Sequence, residues 1–162
     1  MIIRDESFLT ARDFRIHEAA HVAVGVMLRL PMALPEVFRD GSGGRANFAW
    51  DEIEVGASQA LPDEVSASTE RKAAVNIGAM YLAGYCAEGI ASGANLDFII
   101  GAKTHDLIQA LRVLDLVNAS HNDLLLSWDL ARKILNHTWP AVLELAEMVP
   151  VTDGTHRPPI FH

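Results

Sequence analysis

Cysteine occurs once in this chain, at Cys86, so no disulfide can close within it. No basic stretch near the start leads into an apolar segment, and together these features point to a reducing cytoplasm. Basic residues are scarce as well. Thirteen Lys and Arg stand against 21 Asp and Glu, a formal net charge of −8, and the bases form no cluster. A surface for nucleic acid or for anionic membrane needs the opposite, so neither partner is expected. Long apolar runs are missing too: the longest, around residues 14 to 28, is broken by Arg15, His17, Glu18 and His21, which excludes a transmembrane helix. There is no internal repeat, no low-complexity tract and no G-x-x-x-x-G-K-[ST] phosphate loop. What remains is a chain of 162 residues, 50% of them hydrophobic, which is enough for a single domain over 1–162 with a core that needs no staples.

The most informative stretch within it is Arg15-Ile16-His17-Glu18-Ala19-Ala20-His21-Val22, which contains H-E-x-x-H. Residues four apart share a helix face, so the imidazoles of His17 and His21 can meet at one point. Glu18 then sits beside that point, placed to take a proton from an activated water without itself binding the metal. Thr10-Ala11-Arg12-Asp13 has the form of a capping box, and the apolar residues that follow to Leu28 surround the helix on nearly all sides, the pattern of a buried helix. Two histidines and a glutamate in such a helix need partners, and a metal ion would supply them. The plainer alternative is a pair of core histidines bonded to backbone, with Glu18 facing solvent.

The pattern along the chain predicts a mainly α (α+β) fold of about five helices with one small β-hairpin after the H-E-x-x-H helix. The first helix is expected over about 11 to 30, stopped by Pro31 and Pro35. Glu36 to Asp40 and Arg45 to Trp50, joined by Gly41-Ser42-Gly43-Gly44, read as the hairpin. A second long helix should run from about Ser68 to a stop at Gly93, with Gly78, Gly84 and Gly89 implying that another backbone passes close by. A third is expected to be capped by Thr104, a fourth to start at Ser120 or Asn122, and a fifth to open at Thr138 with Pro140 in its first turn. Residues 1–10 and 150–162 read as irregular tails.

A catalytic zinc takes three protein ligands and keeps one position for water, so His17 and His21 require a third group. Asp106, in the first turn of its helix, His105 beside it, and Glu88 are the candidates. Glu88 is the lone acid of an apolar stretch from Ala73 to Ile90, and it can either bind the metal or orient a ligand histidine. Spacing leaves the choice open.

His17-Glu18-Ala19-Ala20-His21 followed by Val22-Ala23-Val24-Gly25 resembles the opening helix of the peptidase domain of FtsH-type zinc proteases, H-E-A-G-H-A and then apolar. Leu82-Ala83-Gly84-Tyr85-Cys86-Ala87-Glu88 is similar to that family's L-G-G-R-A-A-E, and Ile100-Gly101-Ala102 with Asp106-Leu107 to its T-G-A-x-x-D-[LI], all in the family's order. The resemblance covers about residues 13 to 148. It implies a zincin-like helical metallopeptidase domain with one catalytic Zn2+ on His17, His21 and Asp106, Glu18 as general base and Glu88 in support. The chain departs from the family at Ala20 for Gly, Tyr85 for Arg, Gly89 for Glu, and Ile99 and Ile100 for paired Thr. The interval from Ala102 to Asp106 is one residue longer, which leaves His105 as the alternative aligned position.

The function expected on these grounds is zinc-dependent hydrolysis of peptide bonds in short or unfolded peptides, by the protein alone, as a homo-oligomer, or with a separate unfoldase partner. The alternative is a weakly active or inactive metal-binding relative that serves as a peptide- or partner-binding module. Cys86, on an apolar helix face with no basic surroundings, reads as a buried small hydrophobe and not as a nucleophile.

Overall fold

The computed structural model describes residues 11–40, 43–46, 63–93 and 105–153. Among them are four helices, α1 (Ala11–Met27), α2 (Asp63–Ser92), α3 (His105–Asp115) and α4 (His121–Met148), and three short strands, β1 (Glu36–Phe38), β2 (Gly44–Arg45) and β3 (Val151–Thr152). The mainly helical class with a small sheet is as expected. No helix of the described residues is long and apolar enough to cross a membrane.

Helix α2 is the spine, and α1, α3 and α4 all pack on it. Its alanines and glycines let neighbours approach closely: Ala79, Ala83 and Ala87 are fully buried, with Met80 and Leu82 filling the space between helices. At Gly78 and Gly84 the atoms nearest to where a Cβ would stand belong to side chains. A Cβ at Gly78 would meet Ser127 Oγ at 2.7 Å, and one at Gly84 would fall on the His17 ring. Ser127 is completely buried and donates to Val75 O at 2.9 Å, so α4 is tied to α2 by a satisfied polar contact.

The helix ends differ from expectation for local reasons. Helix α1 stops at Met27, before the prolines, because Arg29 takes a left-handed conformation (φ 59°). Leu30 N then bonds Gly25 O at 2.8 Å and Arg29 N bonds Val26 O at 3.0 Å, the paired closure that satisfies terminal carbonyls. Asn118 (φ 50°) ends α3 in the same way. Gly93 (φ 65°) follows α2 as expected, although α2 begins at Asp63, earlier than Ser68. Ser120 caps α4, its backbone N–H donating to Asp123 Oδ2 at 2.8 Å.

The expected fourth and fifth helices are a single helix. Pro140 lies inside α4 with its ring on the exposed side, and Thr138 bonds back to Ile134 O at 2.8 Å just before it. A continuous buried face of Leu124, Trp128, Ala131, Leu135, Val142 and Ala146 holds the helix across the proline, whose local cost tertiary packing outweighs.

β1 ends at Phe38, before the expected Asp40, and the sheet has a third strand. β1 pairs antiparallel with β2 (Glu36 with Arg45, Val37 with Gly44) and parallel with β3 (Val37 with Val151, Phe38 with Thr152). Residues 150–153 are therefore not an irregular tail: Val37 N bonds Pro150 O at 3.0 Å and Arg39 N bonds Thr152 O at 2.9 Å. The buried Glu36 carboxylate joins all three strands, accepting from Thr152 Oγ1 and pairing with Arg45. The expected lead-in and cap at residues 1–10, the strand residues 47–50, the link 51–62, the Thr104 cap and the tail beyond 153 lie outside the described residues.

Candidate metal centre

Helix α1 is buried along most of its length, with Ile16, Ala19, Ala20, Val22 and Val24 in the core, and it carries His17, Glu18 and His21 into the interior with them. Each polar group therefore needs a partner. The two histidines, four residues apart, stand with ring centroids 4.8 Å apart and planes at 73°. Helix α2 supplies the outer partner of each. His21 Nδ1 donates to Met80 O at 2.7 Å, and His17 Nδ1 donates to Glu88 Oε1 at 2.8 Å. With both Nδ1 atoms so engaged, both Nε2 atoms point the other way, toward one place.

Asp106 occupies that place. In the first turn of α3, it lies 2.9 Å from His17 Nε2 and 3.3 Å from His21 Nε2 through its Oδ2. One ligand atom from each of His17, His21 and Asp106 lies within 4.8 Å of the others. The structure thus brings together the two histidines and Asp106. His105 is exposed on the outside of the helix, and Glu88 touches the ring nitrogen of His17 that faces away from the cluster. The alternative of core histidines bonded only to backbone describes half of what His21 does and none of what His17 does.

The donor set fits a small divalent cation. Two imidazole nitrogens and one carboxylate oxygen are the ligands of a catalytic zinc, and bonds of about 2.0 Å in a tetrahedral set give ligand edges of about 3.3 Å. The carboxylate-to-imidazole separations of 2.9 and 3.3 Å are within a few tenths of that. The carboxylate and carbonyl behind the rings fix the ring orientations, as metal-binding histidines require. Without a metal, protons hold the cluster together. Burial alone would depress the His21 imidazole, but the Asp106 carboxylate and its hydrogen bond, with Glu18 and Met80 O, outweigh it and raise the value to about 9. Burial likewise acts to raise Asp106, and the charge of His21 with the hydrogen bonds from both histidines holds it well below the usual carboxylate range.

Glu18 is buried beside the cluster, not directed to solvent. Burial lifts its carboxyl from 4.5 to about 7, an effect reduced by His21 and reinforced by Asp106. Strand β2 runs past it: a Cβ at Gly44 would meet Glu18 Cγ at 2.8 Å and Oε1 at 3.1 Å. No protein-family model, curated protein or solved structure matches the chain.

Three contributions to the site were not anticipated from sequence. Gly84 makes room for the His17 ring, and Tyr85 stands edge-on to that ring at 5.2 Å. Met80 acts through its carbonyl, which no side-chain pattern encodes. The glycine was visible as a helix-interior residue needing a reason, which the imidazole provides. Cys86 is buried, with its Sγ 3.9 Å from Trp128 O, and burial pushes its thiol up to about 12, in keeping with an inert packing role.

Proposed function

We propose that this chain is a zinc metallopeptidase domain, akin to the peptidase domain of FtsH-type proteases, that hydrolyses peptide bonds in short or unfolded peptides. The observation that carries the reading is the meeting of His17, His21 and Asp106 in a donor cluster with Glu18 buried beside it. His17, His21 and Asp106 would hold the ion, with Glu88 and the Met80 carbonyl fixing the two imidazoles. When bound, such an ion is a Lewis acid that acidifies water and polarises a carbonyl.

The rest falls to the chain itself. Glu18 is placed to accept the proton of the attacking water at its carboxylate, and the burial that raises its carboxyl lets it hold that proton and give it up again. As the C–N bond breaks, Glu18 passes that proton to the departing amine nitrogen, so that hydroxyl adds to the carbonyl carbon, hydrogen to the amine, and Glu18 returns to its starting state. β2 is an edge of the sheet among the described residues and lies against Glu18, so a peptide added along it as a further strand would pass the general base. The burial of Glu18 keeps bulk water from competing for its proton.

The test is cleavage of a peptide library by zinc-loaded protein, read by mass spectrometry, against Glu18→Gln. Cleavage by the parent and its loss in a variant that still binds zinc is the expected result. Equal cleavage by both removes Glu18 from the chemistry. A parent that binds zinc and peptides yet cleaves none of the library would instead be a peptide-binding module.

A further inference from the structure

Among the described residues, the Nε of Arg15 is a buried donor with no hydrogen-bond partner. Arg45, by contrast, is paired with the buried Glu36 carboxylate. Arg15 is half-buried on α1, three residues before Glu18, so its side chain leaves the helix on the same face, about 4.5 Å earlier along the axis. Strand β2 lies against Glu18 on that face. A desolvated guanidinium donor lacking an acceptor is costly, and it invites an explanation in terms of a group that arrives from outside. The planar fork of arginine is shaped for a carboxylate, which it can engage through two parallel hydrogen bonds. In a chain of net charge −8 a peptide anion is otherwise repelled, so any attraction must be local.

We infer that Arg15 binds a carboxylate of the peptide substrate beside the bond that Glu18 serves. The identity of the ligand as a peptide rests on the peptidase reading above. An extended peptide advances about 3.3 Å per residue, so a carboxylate held by Arg15 lies about one to three residues from the carbonyl facing Glu18. Its source is either the C-terminus of the peptide or an Asp or Glu side chain.

Calorimetric titration of the full chain carrying Glu18→Gln, which prevents turnover, separates the possibilities. Three probes serve: N-acetyl tetra-alanine as the free acid, the same peptide as the C-terminal amide, and the amide with one Ala replaced by Glu. The expected result is binding of at least one carboxylate-bearing peptide about tenfold or more tighter than the neutral amide, with that margin gone when Arg15→Gln is added. Preference for the free acid alone assigns the C-terminus, and preference for the Glu peptide assigns a side chain. Arg15→Lys keeps the charge without the fork and should retain part of the margin, which serves if Arg15→Gln fails to fold. Equal affinity for all three probes, no binding of either carboxylate peptide at millimolar concentration, or a margin that survives both substitutions overturns the inference. A margin that depends on Arg15 in a protein that hydrolyses nothing keeps it and removes the peptidase reading. Hydrolysis that ignores both the carboxylate and Arg15 does the reverse.

Discussion

Gly84→Ala is a one-carbon perturbation aimed at the centre of the site. The added Cβ would fall on Nε2, Cε1 and Cδ2 of His17, while Glu88 and Asp106 hold that ring from its two nitrogens. The ring cannot yield without stretching one of those bonds, and α2 cannot retreat without opening its packing on α1. Overpacking costs about 1–3 kcal/mol, and losing the bond to the Glu88 carboxylate costs about 1.5–3 kcal/mol more. Replacing glycine by alanine in a helix interior returns about 1 kcal/mol. The net is a destabilisation of about 1.5–5 kcal/mol, a large share of the roughly 5–15 kcal/mol that holds a domain of this size. Urea unfolding with chelator present measures it, and a parallel zinc titration should show weakened binding. Gly78→Ala is the control. It presses on Ser127, away from the cluster, so it should lower stability and leave zinc affinity alone. If Gly84→Ala folds as stably as the parent and binds zinc as well, His17 is not held as described.

Three further outcomes follow from the same contacts. Glu88→Gln should weaken zinc binding about 10- to 100-fold with little change in fold, as measured by competition with a chromogenic chelator, because Glu88 orients His17 through Nδ1. The metal-free protein should lose stability as pH rises. His21, raised from 6.5 to about 9, contributes fully below pH 6.5 and ceases to contribute as pH passes about 9; Glu18, raised from 4.5 to about 7, acts in the same sense at lower pH. The lowered Asp106 acts oppositely, its contribution present above 3.8 and lost as pH falls well below that. Thermal unfolding in chelator should therefore show a falling melting temperature between pH 6.5 and 9, where zinc binding should release protons and tighten. Thr152→Val removes the hydroxyl donor to the buried Glu36 carboxylate and should cost about 1–3 kcal/mol by chemical denaturation.

The helices were legible because their apolar positions repeat and their ends carry punctuation, as Gly93 and Ser120 show. The spacing of His17 and His21 announced their convergence, since helix geometry alone puts them on one face. Choosing among Asp106, His105 and Glu88 was beyond spacing: all three are competent, and the choice depends on how α3 and α2 are set against α1. β3 was hidden for a related reason. Val151 and Thr152 carry no alternation of their own, and their pairing with β1 bridges more than a hundred residues. Pro140 misled because a proline near a threonine reads as a helix start, whereas the buried face on both sides of it makes one helix. Arg29 and Asn118 end their helices without glycine, so those ends had no clear mark.

The most direct measurement is a zinc titration of the metal-stripped protein beside His21→Ala and Asp106→Ala. One ion per chain in the parent, with binding abolished or greatly weakened in both variants while their helical content persists, is the result expected of a centre built from His17, His21 and Asp106. A parent that takes up no zinc, or an Asp106→Ala variant that binds it as tightly as the parent, would contradict the centre and the peptidase reading built on it.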